Sequence, residues 1–457
     1  MGKQAKGELD LCLCADHIRE LIQTNDKNEK VLKFPQNVLN TPTFDKIPPA
    51  CYTLTELNKF YFEKLGCIKI SSKIQMFQNL TTLSLFRNDL TKIPDSISKI
   101  TCLKKVNFAH NRLMEMPNFP KSLEDLDISS NFIPRITIEL QDMPKLDRAL
   151  LSCNEISEVW PSAFDGNDSL TQLDISKNKL TRFPESIENL QKLEWLDLSR
   201  NSIQNFRENI LENAGLVSSL RALYIAYNEL TMESIKIISG LKNVDTLNLS
   251  GNFLQTLPEE LGNLKFLHTI WLTNNRFTEF PEILTKFKFL GCLDLTDNKI
   301  TFVDEEALDF KFLTRGLATF EMGNNGLIVF PEVISSMKRL LRLNLSNNKV
   351  EHLSMKMAKY FKDQFGDEFN FVRDTKFANY EDGVLLFNNK FVDKNLVDLI
   401  ENGHVNDILS VVKEDPPAKD YRLIASKLAG EGPDEDEESS DDEELSQEEF
   451  LRKRYGK

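Results

Sequence analysis

LTQLDISKN (170–178), LEWLDLSRN (193–201), LGCLDLTDN (290–298) and LLRLNLSNN (340–348) are four clear copies of one pattern. Further copies end at Asn88, Asn111, Asn131, Asn154, Asn228, Asn252, Asn275 and Asn325, and a degenerate thirteenth, LNKFYFEKL, puts Leu65 at the asparagine position. From Leu65 to Asn348 successive endings lie 23, 23, 20, 23, 24, 23, 27, 24, 23, 23, 27 and 23 residues apart. Within each copy apolar and other residues alternate, as a half-buried strand requires. The asparagine amide has donors and an acceptor, so it can satisfy buried backbone groups where the chain leaves the strand. Leu65 cannot do this, which suits a terminal coil.

The spacing is that of the leucine-rich repeat, L-x-x-L-x-L-x-x-N with a period of about 20–29 residues. It predicts an α/β solenoid, a horseshoe of about thirteen repeats. Its concave face is a parallel sheet, on the order of 60 Å long at the usual strand spacing. A second apolar set follows each asparagine, as in Leu180, Phe183, Ile187 and Leu190 with Pro184. Pro94, Pro258, Pro281 and Pro331 recur in the same place, where a fixed φ suits short convex turns. Most of the 31 phenylalanines read as core filling.

The expected organisation is a helical or irregular N-terminal cap (1–50), the solenoid (51–352), a helical C-terminal cap (353–429) and an acidic tail with a basic end (430–457). Residues 8–24 read as an amphipathic capping helix, and 354–369 and 393–413 as further helices. The stretch around Gly403-His404 is similar to a single ankyrin helix–turn–helix and is assigned to the cap. Residues 431–449 hold twelve acids and no base, and the last eight residues four bases, leaving −6 of the net −14 on residues 1–430. Such a tail cannot bury enough apolar surface to fold. Ser439, Ser440 and Ser446 each have an acid three residues on, which makes them candidate phosphorylation sites.

Seven cysteines form no C-x-x-C pair, no cysteine-rich end caps are visible, and no apolar leader opens the chain. These features predict a reducing, cytoplasmic location, with a nuclear one second. No stable membrane insertion is expected. Lipidation at Gly2, Cys12 or Cys14 has only partial motif support, since Lys3 and Lys6 depart from the myristoylation pattern. No basic stripe points to nucleic acid. The five histidines have no metal spacing, and no phosphate-binding loop or nucleophile elbow occurs, so no metal, cofactor or catalytic residue is assigned. Asp127, Asp174, Asp197 and Asp294 form a column of carboxylates, which the repeat pattern itself accounts for. KVNF (105–108) and KITF (299–302) mimic a phosphatase-docking motif, but their apolar residues are core positions of the repeat.

Outward strand positions are free of the repeat's demands. Trp195, Tyr224, Tyr227 and Trp271 stand out there, the two tryptophans about 15 Å apart, with Asp197, Asp294 and Glu321 around them. Exposed aromatics grouped on one wall are hot-spot material, so these residues are the candidate partner site. The partner expected is a protein segment with an apolar centre and basic edges.

The turns LTKIPDSISKITCL (90–103), LTRFPESIENLQKL (180–193) and LQTLPEELGNLKFL (254–267) resemble those of intracellular leucine-rich repeat proteins of the Ras-scaffold and Ras-suppressor type. The resemblance covers about two-thirds of the chain. It implies a non-catalytic scaffold, monomeric alone, holding a signalling protein such as a small GTPase or a phosphatase. Two alternatives are an acidic-tail binder or chaperone of basic proteins, nuclear ones included, and a regulatory subunit of a phosphatase.

Overall fold

A computed structural model describes residues 15–34, 44–207, 210, 214–366, 383–402, 405–416, 419, 421–422 and 424–425. Its main feature is a sheet of 16 strands that follow one another in chain order. Each strand is three or four residues long, as in Gln172–Asp174, Trp195–Asp197 and Ala222–Tyr224. Neighbours pair parallel and in register, Leu173 beside Leu196 beside Leu223. The middle residue of each of these strands is buried and its two neighbours face outward, which fixes the register of every coil.

The convex side is built on the prolines. Pro94, Pro258, Pro281 and Pro331 precede the 3₁₀ helices Asp95–Lys99, Glu259–Asn263, Glu282–Lys286 and Glu332–Ser336, and Pro184 precedes the α-turn Glu185–Glu188. One cluster of buried side chains fills the space between the faces from end to end. Phe60, Phe77, Phe108, Phe164, Phe277 and Phe320 lie within it. Val106 and Phe108 of the KVNF stretch are buried there too and are closed to any docking partner.

The asparagines form an internal ladder. The side chain of Asn275 donates to the carbonyls of Leu249 (3.1 Å) and Leu272 (3.0 Å) and accepts from the amides of Asn252 (3.1 Å) and Leu254 (2.9 Å). Asn88, Asn111, Asn178 and Asn298 make the same kind of contacts to the preceding coil. The residue before each asparagine is left-handed, with φ between 52° and 58° at Arg87, His110, Ser130, Cys153, Lys177, Arg200, Tyr227, Asn274, Asp297, Asn324 and Asn347.

The ends differ from the sequence expectation. Of the helix expected over 8–24, the described part is helical only from Ala15 to Glu20. Ile22–Thr24 is a strand, turned back onto Lys30–Lys33 through Asn25, whose side chain accepts from the amides of Lys27 and Glu29. Lys30–Lys33 then pairs parallel with Lys59–Tyr61, so a hairpin closes this end of the sheet. At the other end the sheet runs past the expected boundary at residue 352. Gly383–Leu385 pairs with Arg342–Asn344, and Asn389 bonds to Leu345, Leu386 and Val350 as a repeat asparagine does.

The helix Met355–Phe365 is inserted ahead of that last coil, its Tyr360 hydroxyl donating to the Met337 carbonyl at 2.7 Å. Lys394–Asn402 and Ile408–Val411 complete the cap. The chain then crosses back, tied by Asp415 to the Met355 amide (2.8 Å), by Lys419 to Glu351 (3.1 Å) and by Arg422 to Asp304. Cys12, Cys14, the Gly403-His404 turn, and the tail with Ser439, Ser440 and Ser446 lie outside the described residues.

Candidate functional site: an aromatic ladder on the concave sheet

Strand register brings the aromatics together. Asp197, Tyr224, Asn248, Trp271, Asp294 and Glu321 occupy one row across six neighbouring strands, and Trp195 stands in the row beside it. Tyr224 and Trp271 reach toward each other across Asn248 and stack, with ring centroids 5.9 Å apart at 27°. Trp195 leans on the other side of Tyr224 at 5.5 Å and 46°. All three are partly exposed. The result is one aromatic ridge, with small residues such as Ala222, Thr246 and Thr269 alongside. The ring pairs fix one another, each such pair adding about 0.5–1.5 kcal/mol beyond the area it buries.

Tyr227 does not belong to that ridge. It sits in the left-handed turn after its strand, with φ 53°, and is 37% exposed on the rim. Its ring carries the Arg200 guanidinium at 4.4 Å and lies flat against Gly251, where a Cβ would come within 2.5–2.9 Å of ring carbons. Phe253 and Arg276 make a second such pair, at 4.7 Å, on the same rim. Nothing in the sequence signals that Phe253 lies outside the core, since apolar residues flank most repeat asparagines.

The carboxylates have work inside the fold. Asp127, Asp174, Asp197 and Asp294 each accept from the amide two residues on, at 3.1, 2.9, 2.8 and 2.8 Å. Asn107, Asn248 and Asn344 do the same from the same position. The pattern's preference for Asp or Asn therefore has a structural cause: an acceptor closes the end of each of these seven strands. Glu321 is buried and paired with Arg342.

Burial, and then the Asp174 carboxylate, push the Asp197 carboxyl up to about 6, against the hydrogen bonds from Ser199 and the Lys177 charge. Asp294 and Glu321 are raised as well, chiefly by burial. Among the described residues no cluster of three or more metal-binding side chains occurs, and no helix is long and apolar enough to cross a membrane.

Residues 149–203 match the family described as Leucine rich repeat, and residues 79–100 and 243–264 a second description of the same name. Podocan-like protein 1 of Mus musculus is 31% identical over 200 residues, 42% of this chain and 35% of that protein. Lumican of Gallus gallus is 30% identical over 199 residues, 41% of this chain and 57% of lumican. A leucine-rich repeat protein of Leptospira interrogans superposes with a TM-score of 0.53 at 26% identity, over 73% of this chain and 93% of that one. The chain is built as a leucine-rich repeat solenoid, the fold that its asparagine spacing predicts.

These matching proteins are interaction proteins rather than enzymes. The cytoplasmic placement is overturned: podocan-like protein 1 and lumican are matrix-type proteins of the secreted class, and they point away from the cytoplasm. Absence of cysteine-rich caps was a weak guide, because it concerns end structures and not the repeats in which the similarity lies. The chain spans about a third to just over half of these relatives' length.

Proposed function

We propose that the chain is a non-catalytic protein-interaction module. Its concave ridge Trp195–Tyr224–Trp271 receives an apolar segment of a protein partner. The observation that carries this reading is the ring stack itself: three large aromatics, partly exposed, on positions where the fold demands nothing apolar. Asp197, Asp294 and Glu321 shape the floor on either side, and Tyr227 with Arg200 extends the surface onto the rim.

The narrower reading, a signalling scaffold for a small GTPase or a phosphatase, has the turn resemblance behind it and no feature of the ridge. Capture of basic proteins by residues 431–449 is the alternative of a different kind. The test is quantitative affinity capture with the full-length chain, the Trp195→Ala/Trp271→Ala variant, and Trp160→Ala, a tryptophan away from the ridge. Partners should be lost with the double variant and kept with Trp160→Ala. An unchanged partner set in the double variant refutes the concave reading.

A further inference from the structure

Five consecutive repeats carry a base at one place. Lys242, Lys265, Lys288, Arg315 and Lys338 each stand ten residues before their repeat asparagine, Asn252, Asn275, Asn298, Asn325 and Asn348. Each also stands four residues before a strand residue of one paired row, Thr246, Thr269, Cys292, Thr319 and Arg342. Register therefore sets the five side by side along the rim where the chain enters the sheet, over about 20 Å at the usual strand spacing. In the earlier repeats the place holds Thr55, Gln78, Thr101, Lys121, Pro144, Asp168, Gln191 and Ser218.

All five bases are exposed, and among the described residues none has a carboxylate within ion-pair distance. The next residue along adds to the surface: Phe266 is 56% and Phe289 60% exposed, where other repeats have Glu56, Asn79, Ser169 or Asn243. Lys288 lies over the Phe312 ring at 5.7 Å, but like charges in a row with no carboxylate partner repel one another and await a counter-charge. In a chain of net −14 such a ladder is local and deliberate.

The chain carries a matching counter-charge in its own sequence, at 431–449. Arg422 and Ala425 line a cavity of about 590 Å³ whose wall is mostly residues just after the repeat asparagines, such as Thr256, Thr278 and Thr301, with Lys286 also in its lining. Lys286 is two residues from Lys288. Only five residues lie between Ala425 and Glu431, where the acidic run begins, a reach of up to about 20 Å. We propose that the acidic stretch 431–449 seats on the basic ladder formed by Lys242, Lys265, Lys288, Arg315 and Lys338. A tethered segment meets its site at a high effective concentration, so modest contacts suffice. Phosphate on Ser439, Ser440 or Ser446 would add charge to the seated stretch and tighten it.

The test joins contacting carboxylates and lysine amines with a water-soluble carbodiimide, in an equal mixture of ¹⁴N and ¹⁵N full-length chains. Peptides from 431–449 should couple to Lys242, Lys265, Lys288 and Lys338 of the same isotope, on the order of tenfold above exposed Lys73, Lys145 and Lys192. The excess should vanish at about 0.5 M salt, where charges are screened within a few ångströms. It should also vanish in Lys265→Glu/Lys288→Glu, whose exposed sites leave folding intact by circular dichroism.

Coupling spread evenly over all exposed lysines overturns the proposal. Coupling only between isotopes would seat a second copy's tail. Absent coupling, with the full chain binding phosphatidylserine vesicles, would give the ladder to a lipid surface; either also overturns it.

Discussion

Replacing Asn275 by leucine removes the amide and keeps the bulk, which isolates what the ladder contributes. The amides of Asn252 and Leu254 lose their acceptor, and the carbonyls of Leu249 and Leu272 lose a donor. All four groups are buried, and no water can follow without opening the coil. An orphaned buried group costs about 1–3 kcal/mol. The two amides alone therefore give roughly 2–6 kcal/mol, a large part of a usual folding stability of about 5–15 kcal/mol. The terminal Asn389 is partly exposed and has no further strand beyond it among the described residues, so its leucine variant should lose less than half as much. Urea unfolding followed by circular dichroism and by tryptophan fluorescence reads both. A local loss in a repeat array should separate the two probes and lower the apparent m-value. A loss under about 1 kcal/mol for Asn275→Leu, or equal losses at both sites, refutes the reasoning.

Asp197→Asn should stabilise the chain by about 1–3 kcal/mol at pH 7, because the folded carboxyl titrates at about 6 and the unfolded one near 3.8. The folded state holds this proton more tightly, so the contribution is present below the unfolded value and is lost as pH rises to the folded one. The variant should lack that loss, and thermal melts between pH 4 and 7 showing no difference from the parent would contradict it. Gly251→Ala should cost about 1–2 kcal/mol, from φ +65° and from expelling the Tyr227 ring; Tyr227→Ala should recover the steric part in a double-mutant cycle. Tyr224→Ala should lose about 1–3 kcal/mol of ring pairing and unlock both tryptophans, seen as a red-shifted emission; an unmoved spectrum would mean that the ridge does not pack as described.

The repeats were legible because the spacing of Leu and Asn is itself the fold's requirement. The last coil was not: Val384, Leu386 and Asn389 keep the internal spacing of Leu343, Leu345 and Asn348, but an interval of 41 residues and an inserted helix hide them. Trp195, Tyr224 and Trp271 were found as exceptions on outward positions. Their stacking depends on register between strands, which no single copy reveals. Tyr227 was misplaced because a turn residue one before the asparagine looks, in sequence, like another strand position. The acids near the ridge were legible as a column, and their commitment to amides two residues on became visible only in three dimensions.

The left-handed residues give the solenoid a mechanical direction. In the earlier coils they are Lys64, Arg87, His110, Ser130, Cys153, Lys177, Arg200 and Tyr227, side chains that this backbone tolerates at a penalty of about 1–2 kcal/mol each. In the later coils they are Gly251, Asn274, Asp297, Asn324, Asn347 and Asn388, residue types at home there, with Phe253 the one bulky side chain held at positive φ (58°) among them. The later coils are thus relaxed and the earlier ones wound under tension. Pulled from both ends, the molecule should unravel from its N-terminal half, and the C-terminal half should be the last to let go and the first to re-form.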